Sequence, residues 1–331
     1  MTTSMNVKTG TSKKRQAAPD PVKYERMTAK MAFQLAMIHT WPASVCPALF
    51  GIFWCLFRGI SLTPAQCILL AAACILSQSS VNTLNDYVDY VNGTDSEEDN
   101  VEVNDAVLVY NHLNPRHALI LGLAYLASAA LCGVAAAWHS GPAPYVVGII
   151  GGLTVLAYSV SPVSVASLPL GELVSGFVMG GLIPLGTAAV ADGTFHWEIL
   201  AESLPLIIGI ALIMLSNNGS DIEKDRAAGR TTLPVVLGRP RSLVLYRTLL
   251  GVWIALLILQ PLLQVGRISI AGILLTLALG HKPFGFLIRA KLDPSDRIRQ
   301  MKSVAASNMI GNGFLALTYG AAWLTQILRV L

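Results

Sequence analysis

The chain has 331 residues, of which 53% are hydrophobic and only 13% charged, and its mean hydropathy is +0.58. Soluble domains carry about 25% charged residues, so this composition excludes an ordinary soluble domain and points to apolar side chains that face lipid. The formal net charge of +4 gives no case for a nucleic-acid partner.

Residues 1–32 are polar and basic, with Lys13, Lys14 and Arg15 early, and read as a mobile cytoplasmic tail rather than a cleaved leader. Residues 33–331 read as a single transmembrane domain. Apolar segments fall at 33–57, 62–84, 118–138, 145–161, 169–190, 199–216, 243–263, 268–288 and 304–327. The expectation is therefore nine transmembrane helices in an all-α integral membrane protein, since lipid cannot satisfy an open sheet edge. The segments at 145–161 and 199–216 are short for a crossing. Cys46, Cys55, Cys67, Cys74 and Cys132 form no CxxC pair and lie in apolar segments, where they read as small buried hydrophobes.

With the N-terminus in the cytoplasm and the spans alternating, 20 of the 23 Lys and Arg residues fall inside. Only Arg58, Arg267 and Arg329 fall outside, which is the distribution the positive-inside rule expects of a cytoplasmic membrane protein. An odd number of spans would leave the C-terminus outside. The long charged loops at 85–117, 217–242 and 282–303 then share the cytoplasmic face.

Between Gly59 and Pro115 there is no Lys or Arg, yet eight acidic residues crowd the stretch from Asn82 to Asp105. The run Glu97–Asp105 reads as a solvated surface. Asn82, Asp86 and Asp89 do not, because i, i+4 and i+7 stack on one face of a helix leaving the second span. Asn85 stands one turn before Asp89. A second cluster repeats the arrangement: Asn218, Asp221 and Asp225 stand at i, i+3 and i+7, with Asn217 one turn before Asp221.

Carboxylates stacked at a membrane boundary are unfavourable in desolvation and mutual repulsion, so they mark a site. Asp and Asn oxygens suit a hard cation such as Mg²⁺, which completes its shell with water and substrate phosphate. Arg116 after the first cluster, and Lys224, Arg226 and Arg230 around the second, can neutralise the remaining charge of a diphosphate. Two alternatives stand beside this one, a metal-free ion-pair network and a cation-coupled transporter.

Asn85-Asp86-Tyr87-Val88-Asp89, continued to Asp95, resembles the first aspartate motif of the UbiA superfamily of intramembrane prenyltransferases. The stretch from Asn217 to Leu233 resembles the second motif, specifically that of the 1,4-dihydroxy-2-naphthoate polyprenyltransferase branch. Thr40-Trp41-Pro42-Ala43, Tyr158 with Pro162, and Gly171-Glu172 are similar to the same branch. Ile38-His39 departs from it, since Arg-Pro is common there.

The resemblance implies a UbiA-type fold around a central cavity, Mg²⁺ dependence and a polyprenyl diphosphate donor. It implies metal ligands at Asn82, Asp86, Asp89, Asp221 and Asp225, with Asp95, Asn85 and Asn218 as further members. It also implies an aromatic acceptor, dihydroxynaphthoate, which loses its carboxylate to give demethylmenaquinone. A hydroxybenzoate, homogentisate, a tetrapyrrole or a glyceryl lipid remains open as acceptor. His39, Tyr158 and Glu172 are the cavity residues expected to meet it.

Overall fold

A computed structural model describes residues 24–93, 107–159 and 164–329. Among the described residues every regular element is a helix, with one isolated bridge between Glu25 and Leu113. In chain order the helices are α1 (Ala29–Leu35), α2 (Pro42–Phe57), α3 (Pro64–Val91), α4 (Val107–Tyr110), α5 (Pro115–Ala136), α6 (Ala143–Ser159), α7 (Gly171–Phe177) and α8 (Ile183–Asp192). They continue with α9 (Glu198–Glu202), α10 (Leu204–Ser220), α11 (Ile222–Ala227), α12 (Leu233–Leu237), α13 (Arg239–Gln264), α14 (Ser269–Arg289) and α15 (Arg297–Leu328).

Local chemistry sets several starts. Thr63 and Gln66 form a capping box at α3, with Pro64 at the first helical position, and Asn114 caps α5 ahead of Pro115. The principal packing pairs are α3 with α5, α2 with α15, α14 with α15, and α7 with α10. Trp54, Trp253, Tyr246, Tyr319 and Phe50 fill the centre and are fully buried. The outer surface stays apolar: Leu263 is 82% exposed and Leu131 71%. Such a surface is suited to lipid rather than water.

The expected count of nine spans is not what forms. Among the described residues, five helices are long and apolar enough to cross a membrane, or six if the bent pair Ala29–Thr40 and Pro42–Phe57 is one span. The five are Pro64–Val91, Pro115–Ala136, Gly171–Asp192, Arg239–Gln264 and Gly266–Arg289. The stretches at 145–161 and 199–216 give helices of 17 residues each, about 25 Å at 1.5 Å per residue, against a hydrocarbon core of about 30 Å. The first stretch is broken by a 59° bend, with Met37 at φ 47°.

The last stretch lies in α15, which is 32 residues long but not among the sufficiently apolar helices. Its Asn308 amide donates to Gly209 O at 2.9 Å and its Asn312 amide to Asn308 Oδ1 at 2.9 Å, so the polarity is spent inside the bundle. The count of nine therefore no longer supports the expected C-terminus-outside orientation, since five spans would keep it and six would reverse it.

Close approach to α10 by α7 and the turn that follows it depends on glycine. Val178–Leu182 is a π-helical turn joining α7 to α8. A Cβ on Gly180 would stand 2.5 Å from the Cα of Ile207, where no flexible atom can move aside. Gly180→Ala is therefore expected to destabilise the protein by about 2–3 kcal/mol, the upper range for overpacking, read as a lowered thermal midpoint in detergent. Unchanged melting would show that α10 can shift.

Candidate active site

α3 carries the first cluster and the α10–α11 junction carries the second. The chain breaks at Asp221, where φ is −104° and ψ 17°, so Asn217 and Asn218 end α10 while Asp225 sits on α11. α11 then closes with a Schellman motif. Gly229 adopts φ +73° and donates to Arg226 O at 3.1 Å, and Arg230 N donates to Asp225 O at 2.9 Å. This reversal folds Arg230 back over its own helix. Thr231 pins the returning strand of chain through N–H donation to Ser167 O at 2.9 Å.

As a result one guanidinium touches both clusters. Arg230 Nη2 pairs with Asp89 Oδ1, and Arg230 Nη1 lies 3.7 Å from Asp225 Oδ1. Asp89 Oδ2 accepts from the Asn85 amide at 2.9 Å, and Asp225 Oδ2 accepts from Thr232 at 3.2 Å. Asp86 is buried on the same face of α3, and its Oδ2 accepts from Val107 N at 3.2 Å. Carboxylates far apart in sequence thus bracket a single positive charge.

Burial pushes the Asp225 carboxyl up to about 6, and Asp221 adds to the rise; Arg230 and Lys224 pull the other way. A cation bound at Asp225 would therefore displace a proton below about pH 6.

Asp221 is held differently. Arg297, the first residue of α15, donates from Nε to Asp221 Oδ1 at 2.8 Å and Oδ2 at 2.9 Å, and from Nη2 to Asn217 Oδ1 at 2.9 Å. Sequence spacing had no means of finding this residue. It was one of several basic residues on an inner loop, and nothing periodic links position 297 to 221.

Glu172 is 5% exposed at the start of α7, and its Oε1 accepts from the Asn218 amide at 2.9 Å. Its Oε2 and the Tyr158 hydroxyl are buried and have no hydrogen-bond partner among the described residues. Asn218 therefore couples the acidic cluster to buried polar atoms without partners, an arrangement that buried groups avoid unless water or a ligand completes it.

The remaining candidates divide. Asn82 donates to Ala36 O at 2.9 Å and to Thr40 Oγ1 at 2.8 Å, securing the bend before α2. Trp41 supports the same bend through Ser79 at 3.1 Å. Lys224 is half-buried beside Asp225, whereas Arg116, Arg226 and His39 are exposed. Asp95, Pro162, Glu97–Asp105 and most of the N-terminal tail lie outside the described residues.

Among the described residues no three acidic, His or Cys side chains already converge as a metal cage. The donor chemistry still fits Mg²⁺. Only Asp and Asn oxygens are offered, from two helices, and Asp89 and Asp225 are near enough to share one cationic group.

The fold and site together define a class, a multi-pass membrane protein with an acidic and arginine-rich centre at one end of an apolar helical bundle. The UbiA prenyltransferase family model matches residues 44–306, and the chain belongs to that family of prenyltransferases. It is 30% identical over 216 residues to the 1,4-dihydroxy-2-naphthoate octaprenyltransferase of Bacillus subtilis, covering 65% of this chain and 68% of that one. It is 28% identical over 252 residues to UbiA prenyltransferase domain-containing protein 1 of Mus musculus, covering 75% and 73%.

Among solved structures, the UbiA homolog of Aeropyrum pernix K1 superposes with a TM-score of 0.60 at 18% identity, covering 88% of this chain and 98% of that one. The UbiA homolog of Archaeoglobus fulgidus bound to DMAPP and Mg²⁺ gives 0.57 at 16%, covering 86% and 99%. At these identities the likeness establishes the UbiA-type fold.

Proposed function

We propose that the chain transfers a polyprenyl group from its diphosphate to 1,4-dihydroxy-2-naphthoate in a Mg²⁺-dependent reaction, with loss of CO₂ to give the quinol form of demethylmenaquinone. The observation that carries this reading is the single guanidinium of Arg230 held between Asp89 and Asp225, beside the unsatisfied Glu172 and Tyr158. The Bacillus subtilis relative supports the choice of acceptor.

Asp86 and Asp89 from α3, with Asp221 and Asp225 from the second cluster, would hold the metal, and Asn82, Asn85 and Asn218 are neutral donors assigned to it by sequence. Asp95 belongs to the same proposal by sequence. Bound Mg²⁺ would neutralise charge developing on the departing diphosphate. Arg230 and Lys224 add fixed positive charge at the same end, and Arg116 and Arg226 can join from the rim.

The bond broken is that between the allylic carbon and the diphosphate oxygen. The bond formed joins that carbon to the ring carbon bearing the carboxylate, and the electrons of the departing C–CO₂ bond restore the aromatic ring. An allylic cation reacts readily with water, so the apolar walls of the bundle protect it, and the ring face of Tyr158 can stabilise it. Glu172 Oε2 is free to accept from an acceptor hydroxyl while Oε1 stays on Asn218. The basic residues around the site support a cytoplasmic placement for it and for the N-terminus, in a cell membrane.

The test is an acceptor panel. Purified protein in detergent is given Mg²⁺, labelled polyprenyl diphosphate, and in turn dihydroxynaphthoate, hydroxybenzoate, homogentisate, a tetrapyrrole and a glyceryl phosphate. Prenylated product with release of CO₂ is expected from dihydroxynaphthoate. Reaction with another acceptor but not with this one would overturn the assignment.

A further inference from the structure

We infer that Arg297 is an exchangeable counter-ion of the second aspartate cluster. It occupies Asp221 and Asn217 while no metal is bound, and passes to the diphosphate when a divalent cation takes Asp221. The inference rests on the metal–diphosphate reading above and assigns a role to a helix outside both aspartate motifs.

The geometry is specific. Arg297 Nε is shared between both oxygens of Asp221, at 2.8 and 2.9 Å, and Nη2 takes Asn217 Oδ1 at 2.9 Å. Those three oxygens are hard donors of the kind a Mg²⁺ ion uses, so guanidinium and metal compete for the same atoms. Neither partner is deeply enclosed, with side-chain exposures of 28% for Arg297 and 16% for Asp221. The arginine can therefore leave without crossing packed core.

Arg230 is placed differently, since it is shared between Asp89 and Asp225 and ties the two clusters together. Of the other cations opening α15, Arg299 stacks over Phe286 at 4.5 Å. Arg297 alone among these two meets the second cluster.

Charge balance gives the exchange its direction. A divalent cation arriving at Asp221 supplies the positive charge that Arg297 had supplied, and a guanidinium left beside it becomes repelled. A diphosphate brings several negative charges and pairs of oxygens that match the guanidinium fork. One turn along the same face of α15, Gln300 is fully buried, and both its amide atoms lack a hydrogen-bond partner among the described residues.

The experiment uses the full chain in detergent and two probes, Mn²⁺ alone, followed by electron paramagnetic resonance, and inorganic pyrophosphate at saturating Mg²⁺, followed by calorimetry. Arg297→Gln should bind Mn²⁺ about three- to tenfold more tightly, because a partly exposed competitor is gone. The same variant should bind pyrophosphate at least about tenfold more weakly, having lost a charge-assisted fork. Arg297→Lys, which keeps the charge but cannot hold both Asp221 oxygens and Asn217 at once, should show the same opposed signs at smaller size.

A parallel fall in both affinities in the two variants would make Arg297 a structural orienter of Asp221 and overturn the exchange. Unchanged affinities would also overturn it. If the wild-type chain binds neither probe, the metal–diphosphate reading itself fails and takes this inference with it.

Discussion

Asp225→Asn is expected to lower Mg²⁺-dependent turnover by about 10²–10³-fold, the scale lost when one preorganised electrostatic group is removed from an active site. Thermal stability should hold or rise slightly. Burial raises the Asp225 carboxyl to about 6, so its ionised form is disfavoured in the folded chain. By linkage, the stability this group contributes is present below the ordinary carboxylate pKa and is lost as pH rises through about 6. At neutral pH the neutral amide removes that unfavourable charge and can still accept from Thr232. Measuring turnover and the melting midpoint on one preparation separates function from folding. A large fall in stability with turnover per folded molecule unchanged would make Asp225 a structural residue.

Glu202→Ala should give the largest loss of stability at a polar position outside the site. Glu202 is 4% exposed and accepts from Arg58 Nη2 at 2.5 Å and from the Tyr319 hydroxyl at 2.6 Å. Tyr319 in turn accepts from the Gln260 amide at 2.7 Å. One carboxylate thus joins the end of α2 to α9, α13 and α15. Removing it leaves the buried Tyr319 hydroxyl without an acceptor and the exposed Arg58 guanidinium without its partner, at a cost of about 2–3 kcal/mol. Glu202→Gln keeps an acceptor for Tyr319 and should lose less. The check is thermal unfolding in detergent, where equal and small shifts for both variants would show that water replaces the carboxylate.

The two positions illustrate opposite uses of a buried acid. Glu202 is satisfied on both oxygens and holds helices together. Asp225 shares an arginine with Asp89, and the fold tolerates its charge. Proteins keep such unfavourable groups where activity requires them.

The amino-acid sequence by itself determined the helical membrane character and the aspartate face of α3, whereas the second cluster is split between α10 and α11 by the break at Asp221. The membrane character and the α3 face depend on short-range properties. A charge-poor composition identifies the solvent, and a 3.6-residue period places Asn82, Asp86 and Asp89 on one side of α3 whatever surrounds it. The Asp225–Arg230 turn was likewise written locally, in Gly229 after a short helix.

Tertiary structure decided the rest. Whether a polar stretch such as that around Asn308 and Asn312 lowers a helix's apolarity without exposing it depends on the partner carbonyl at Gly209, which no window along the chain contains. The meeting of Asp89 with Arg230, 141 residues apart, and of Asp221 with Arg297, 76 apart, depends on which helix ends pack side by side. Charge pairs of that separation leave no periodic trace in sequence. They form because, at the end of an apolar bundle, a carboxylate is stable only where the fold delivers a cation to it.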